Sequence, residues 1–149
     1  MTLRHGLEIR VATANEAPGL AILLAEAGHP IDAHDLAERI ISLRASSATA
    51  LVALQWGPPS GLVVLHWYPT LHVSRPVAQI TTLLVGPEKR RRGIGRMLLK
   101  AAAQAARSAG CGEMELLAKL DQPSLHAFCR ATGFAETGQR FTRSLRKQG

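Results

Sequence analysis

Arg90-Arg91-Arg92-Gly93-Ile94-Gly95-Arg96 is the stretch of this sequence whose residue types and spacing most directly suggest chemistry. It stands between an apolar run ending at Val85 and an amphipathic run beginning at Ile94. A turn that opens a helix offers backbone N–H groups without intrahelical partners, and the helix dipole adds positive charge there. Glycines let a bulky anion approach that backbone, and arginines add charge-assisted hydrogen bonds. A diphosphate suits this pattern. Other phosphate loops do not fit: G-x-x-x-x-G-K-[ST] is missing, and Leu98 occupies the third glycine position of G-x-G-x-x-G. The partners of a kinase glycine loop are also missing. The plainer alternative is a solvated basic cap in which Gly93 merely ends a turn. Strand, turn and amphipathic helix in register favour the anion site.

Other chemistries find less support. Cys111 and Cys129 are the only cysteines, without C-x-x-C spacing or histidines placed to complete a zinc site, so reduced thiols and no metal are expected. His5, His29, His34, His66, His72 and His126 are scattered. The net charge of +7 raises the question of nucleic acid. Six of the eighteen basic residues fall between Lys89 and Lys100 and four between Arg140 and Lys147, while aromatic residues make up only 4%. That distribution fits a concentrated anion site better than a base-stacking platform, and no nucleic-acid partner is expected. No apolar run is long enough for a membrane span, and Met1 to Gly6 lacks a signal-peptide layout. The expected compartment is the cytoplasm.

The elements that must hold the turn can be read along the chain. At 149 residues, 46% of them hydrophobic, one domain over residues 1–149 is expected. Leu7 to Val11 reads as a strand, and Thr13-Ala14-Asn15-Glu16 has the form of a capping box opening a helix to about Ala27. Gly28 and Pro30 stop that helix, and Asp32 caps a second through about Arg44. Ala48 to Gln55 and Gly61 to Trp67, split by Gly57-Pro58-Pro59-Ser60, read as a hairpin. Val77 to Val85 suits a buried strand. From Gly93 to Ser108, Ile94, Met97, Leu98, Ala101, Ala102 and Ala105 recur at helical spacing, and Gly110 closes the helix. With Glu113 to Leu117 as a strand, this makes a βαβ crossover and hence a parallel pair. A helix from about Pro123 to Thr132 follows, and Phe134 onward, with Phe141 to Leu145, is expected to supply the last strand or strands.

Arg90-x-x-Gly93-x-Gly95, after a strand and before an Ala/Leu-rich helix, resembles the R/Q-x-x-G-x-G/A signature of the GCN5-related N-acetyltransferases. Downstream, Leu125 to Phe134 is similar to that family's A-x-x-F-Y-x-x-x-G-F helix and strand. The specific motifs cover Ala78 to Phe134, and the element order agrees over nearly the whole chain. The resemblance implies an α/β fold with a central mixed sheet flanked by helices, and acetyl-CoA as co-substrate. It places the pantetheine arm along Leu83, Leu84 and Val85, with the oxyanion held by a strand N–H near Leu84. Backbone groups of Arg90, Arg91, Arg92, Gly93, Ile94, Gly95 and Arg96 would cradle the pyrophosphate. Gln122 stands where the family often has a cofactor-contacting Asn, and Phe128 belongs to the same late helix.

The same resemblance implies transfer of an acetyl group to a primary amine of a small molecule or peptide, and makes a homodimer plausible. The family's proton donor to the departing thiolate is a tyrosine, and this chain has Cys129 there. Cys129 reads either as a small buried hydrophobe or as the donor, since a thiol's ordinary pKa of about 8.5 is comparable with that of the product thiol. His126, three residues earlier, is an alternative donor. Ala78 to Val85 contains no carboxylate, which excludes a base on that strand and leaves Glu26 and Glu115 as possibilities. His66 and Tyr68 are candidates to line the acceptor pocket. A non-catalytic acyl-CoA-binding sensor is the competing reading, and a basic nucleic-acid binder the third.

Overall fold

Strand β1 (Glu8–Val11) passes through a 3-10 turn (Ala14–Glu16) into helices α1 (Ala17–Glu26) and α2 (Ala33–Arg44). Strands β2 (Ala48–Leu54), β3 (Pro59–Tyr68) and β4 (Val77–Val85) follow, then helix α3 (Ile94–Ser108), strand β5 (Glu113–Leu116) and helix α4 (Pro123–Ala131). The computed structural model describes residues 6–87 and 93–146. The chain divides into two units, Met1–Leu117 and Ala118–Gly149. No described helix is long and apolar enough to cross a membrane.

The first unit holds one five-stranded sheet in the order β1-β2-β3-β4-β5. Neighbours are antiparallel except β4 and β5, which are parallel and joined through α3 as the crossover rule expects. On one face Leu20 and Leu23 of α1 and Leu36 and Ile40 of α2 pack with Ala50, Val52 and Leu62. Alternation sends Gly61, Val63 and Leu65 to the opposite face, under α3. That helix buries Ile94, Leu98, Leu99, Ala102 and Ala106. Met97, Ala101 and Ala105, read from the sequence as core positions, are half-buried. The buried stripe follows the 94-98-102-106 ladder of i, i+4 steps, with Leu99 beside it, rather than a fixed heptad.

Gly61 shows how tightly α3 sits. A Cβ there would stand 2.8 Å from Leu98 Cδ1, 3.0 Å from the Leu84 carbonyl oxygen and 3.2 Å from Ile94 Cγ2. Gly61→Ala is therefore expected to destabilise the fold by about 1–2 kcal/mol through overpacking, read as a shift in urea midpoint at unchanged slope. An unchanged midpoint would refute this.

The capping box at Thr13 forms as the sequence indicates. Thr13 Oγ1 accepts from the Asn15 amide at 3.3 Å, and Glu16 Oε1 accepts from the Thr13 amide at 2.8 Å. Glu16 is buried and also receives a 2.9 Å bond from Arg10. Burial alone would raise this carboxyl; the bonds from the Thr13 amide, Arg10 and the Thr13 hydroxyl, with the charge of Arg10, outweigh it and hold the group below its ordinary range. Glu16→Gln is expected to cost about 1–2 kcal/mol at neutral pH. A carboxyl depressed in the fold stabilises above its unfolded-state pKa, and that contribution is lost as pH falls through the folded one. The gap between wild type and variant should narrow in acid, and urea unfolding from neutral to acid pH checks it.

One expectation fails. No strand is assigned between Phe134 and Arg146 among the described residues. Phe141 and Leu145, expected to belong to the last strand or strands, are both almost fully exposed. A strand needs a neighbour for its backbone groups, and apolar residues alone do not supply one. In the second unit α4 instead ends in a turn, where Gly133 takes φ +95 and the Phe134 amide bonds back to the Cys129 carbonyl at 2.9 Å.

Candidate functional site

Gly93 is the N-cap of α3 and adopts φ 77, ψ 7, a left-handed conformation that favours glycine. A Cβ at Gly93 would meet nothing within 4 Å among the described residues. The Gly93 carbonyl takes the first helical bond, from Met97 at 3.0 Å. Among the described residues no side chain caps the helix, and its first turn carries no acidic residue. The amides of Ile94, Gly95 and Arg96 are thus left for an external acceptor at the positive end of a fifteen-residue helix dipole. Arg90, Arg91 and Arg92, expected to share in this site, lie outside the described residues.

Upstream of that turn, β4 is open along half of one edge. Parallel pairing with β5 runs from Val77↔Glu113 to Ile80↔Leu116 and then stops. At the same point, the register with β3 steps from Leu65↔Ile80 to Val64↔Thr82, so Thr81 is the extra residue of a β-bulge. From Thr81 to Val85 the strand pairs with β3 on one side, and among the described residues no strand lies on the other.

Hydrogen-bond parity decides which groups face the open side. Gly86 donates to the Ser60 carbonyl at 2.8 Å, and Trp67 donates to the Ser47 carbonyl, on the β2 side, at 2.9 Å. Even-numbered β3 residues therefore bond towards β4, making Leu62↔Leu84 and Val64↔Thr82 the hydrogen-bonded pairs. The N–H and C=O of Leu83 and Val85 point to the open edge. Leu84, grouped with them from the sequence, turns its amide towards β3. The free strand N–H is that of a neighbour.

The far end of the sheet brings together residues the sequence left apart. Tyr68 Oη donates to Glu115 Oε1 at 2.9 Å, joining the end of β3 to β5. That bond to Glu115 is the main cause that raises the phenol's pKa, with desolvation and the carboxylate's charge adding to it. His66 is half-buried and registered with Gln79, a residue the sequence reading passed over. Glu26, the other carboxylate considered, is exposed at the end of α1.

The second unit carries the remaining candidates. Gln122 precedes α4 as its N-cap, and its Oε1 accepts from the Lys119 amide at 3.1 Å, leaving the NH2 outward as a donor. Phe128 and Cys129 are half-buried. Cys129 is a free thiol; burial pushes its pKa up, against a smaller lowering by Arg130. It therefore stays protonated at neutral pH, and it is half-buried where one of the two sequence readings has a small buried hydrophobe. His126 Nε2 lies 2.7 Å from the Lys119 carbonyl, a contact in which the ring nitrogen must donate. That proton is already engaged.

These features match known proteins. The structure superposes on a Trypanosoma brucei acetyltransferase with TM-score 0.81 at 24% identity, over 93% of this chain and 99% of the other. It superposes on AAC(6')-Iy, solved in complex with the bisubstrate analogue CoA-S-monomethyl-acetylneamine, with TM-score 0.79 at 25% identity, over 95% and 99% of the two chains. In sequence it is 33% identical over 94 residues to the aminoalkylphosphonate N-acetyltransferase of Salmonella typhimurium LT2, a match covering 63% of this chain and 61% of that relative's length. Residues 20–134 match the model of the acetyltransferase (GNAT) family. That span begins in α1, takes in the open edge of β4 and the Gly93 turn, and ends at Phe134, and on it the chain belongs to the GNAT family.

Proposed function

We propose that this protein, as one domain over residues 1–149, transfers the acetyl group of acetyl-CoA to a primary amine of a small molecule or peptide. The observation that carries the reading is the pairing of two openings: the free half-edge of β4, and the uncapped start of α3 eight residues beyond it. Acetyl-CoA supplies an activated thioester. The chain's own groups suit its parts. The Val85 N–H and C=O, with the Leu83 C=O, can bond the pantetheine amides as an added strand would, with Leu84 between them packing against Leu62. The amides of Gly93, Ile94, Gly95 and Arg96, with Arg90, Arg91 and Arg92, can hold the pyrophosphate. Gln122 and Phe128 are counted with the cofactor's contacts on the family resemblance alone.

For the transfer, a neutral amine attacks the thioester carbonyl, a C–N bond forms, the nitrogen gives up one proton to solvent and the C–S bond breaks. Negative charge developing on the carbonyl oxygen calls for a fixed donor, and the outward N–H of Leu83 is the strand group able to serve. The departing thiolate needs a proton. Cys129, protonated at neutral pH, supplies it in this reading, and its own thiolate is reprotonated from solvent.

A thiol-release assay with acetyl-CoA and a panel of primary amines tests the proposal. Free CoA appearing only with an amine present is the expected result. Acetyl-CoA binding without turnover of any amine would convert the reading to an acyl-CoA sensor, and failure to bind acetyl-CoA would remove both.

A further inference from the structure

His66, Gln79 and Glu115 form one row across three strands: His66 is registered with Gln79, and Gln79 with Glu115. Register partners share a face, and Tyr68, two residues past His66, lies on that face too. Its hydroxyl crosses β4 diagonally to reach Glu115. Helices α1 and α2 cover this face at Leu62 and Val64. Beyond them His66 and Gln79 are half-buried, while Tyr68 and Glu115 are exposed. The row is one residue short of the point where β4 and β5 part and Thr81 bulges. A polar floor with a held carboxylate therefore borders the mouth of the open edge. Tyr68 fixes Oε1 of Glu115, leaving Oε2 for a ligand.

We propose that the Tyr68–Glu115 pair determines acceptor specificity, selecting amines that carry a second cationic group. The inference rests on the acetyltransferase reading above. The reacting amine must be neutral when it attacks, so its own charge is not available to a carboxylate at that moment. A second ammonium can be held throughout. From Gln79 in the Glu115 row to Leu83, whose N–H faces the open edge, is four residues of strand with the Thr81 bulge between them, about 10–13 Å, the span of a long aliphatic diamine. An anionic tail such as a phosphonate would be repelled from the same place.

Glu115→Gln separates this role from a mere strap between strands, because the amide oxygen can still accept from Tyr68 while the charge is gone. The probes are 1,8-diaminooctane, octylamine and 8-aminooctylphosphonate, with acetyl-CoA affinity measured separately. Wild type is expected to prefer the diamine. Glu115→Gln should raise KM for the diamine about fivefold relative to KM for octylamine, with acetyl-CoA affinity unchanged. It should also improve relative use of the phosphonate. Tyr68→Phe, which releases the carboxylate, should raise the diamine KM in the same direction by less. Equal losses with diamine and octylamine, or no loss with either, overturn the proposal while the acetyltransferase reading stands. A wild-type protein that turns over no amine at all overturns both.

Discussion

Gly93→Glu is expected to weaken acetyl-CoA binding at least a hundredfold while the chain still folds. Among the described residues a Cβ at this position meets no atom within 4 Å, so the packing of α3 is not what fails. The backbone is left-handed, and a non-glycine residue there costs about 1–2 kcal/mol, an amount a domain can absorb. The added carboxylate, however, would sit over the amides of Ile94, Gly95 and Arg96 and compete with a diphosphate for them. It would also cap the helix and cancel part of the positive end of its dipole. Gly93→Asn is the control, since asparagine tolerates φ above zero without adding charge; it should bind acetyl-CoA within about tenfold of wild type. Isothermal titration of both variants, with circular dichroism to confirm folding, decides the matter. Micromolar affinity retained by the glutamate variant would show that the anion lies elsewhere.

Cys129→Ala is the second large effect. If the thiol supplies the proton to the departing thiolate, its removal should cut kcat by about a hundredfold, the low end of what a positioned acid contributes. KM for acetyl-CoA should stay nearly constant, because alanine keeps the small apolar contact of a half-buried residue on α4. Cys129→Tyr should recover most of the rate, since a phenol is a stronger hydrogen-bond donor than a thiol. Steady-state kinetics on the three proteins, with the amine saturating, gives the comparison. A kcat unmoved in the alanine variant would assign the proton to solvent and leave Cys129 a packing residue.

Local rules carried much of the fold. Asp32 accepts from the amides of His34 and Asp35 and caps α2 as its residue type predicts, and Thr13 with Glu16 builds the expected box. The glycine at 93 was legible for the same reason: its conformational freedom is a property of one residue in one turn. What depends on pairing between distant strands was not legible. Whether Leu83 or Leu84 presents its amide outward follows from parity fixed by Ser60 and Gly86, one residue either way reversing it. The row of His66, Gln79 and Glu115 needs the register of two pairings and the bulge at Thr81 together, so His66 and Tyr68 could be suspected singly while Gln79 was passed over. Phe141 to Leu145 shows the converse, apolar residues expected in a strand without a partner strand among the described residues.

The open half of β4 also bears on how the chain avoids its own kind. A strand edge left unpaired so that a ligand can lie along it is equally a template for another polypeptide, and Leu83 and Val85 are apolar enough to favour such a match. The edge is only five residues long, and the bulge at Thr81 twists it away from flat pairing. The irregularity that makes room for the ligand thus acts, when the ligand is away, as a guard against edge-to-edge aggregation.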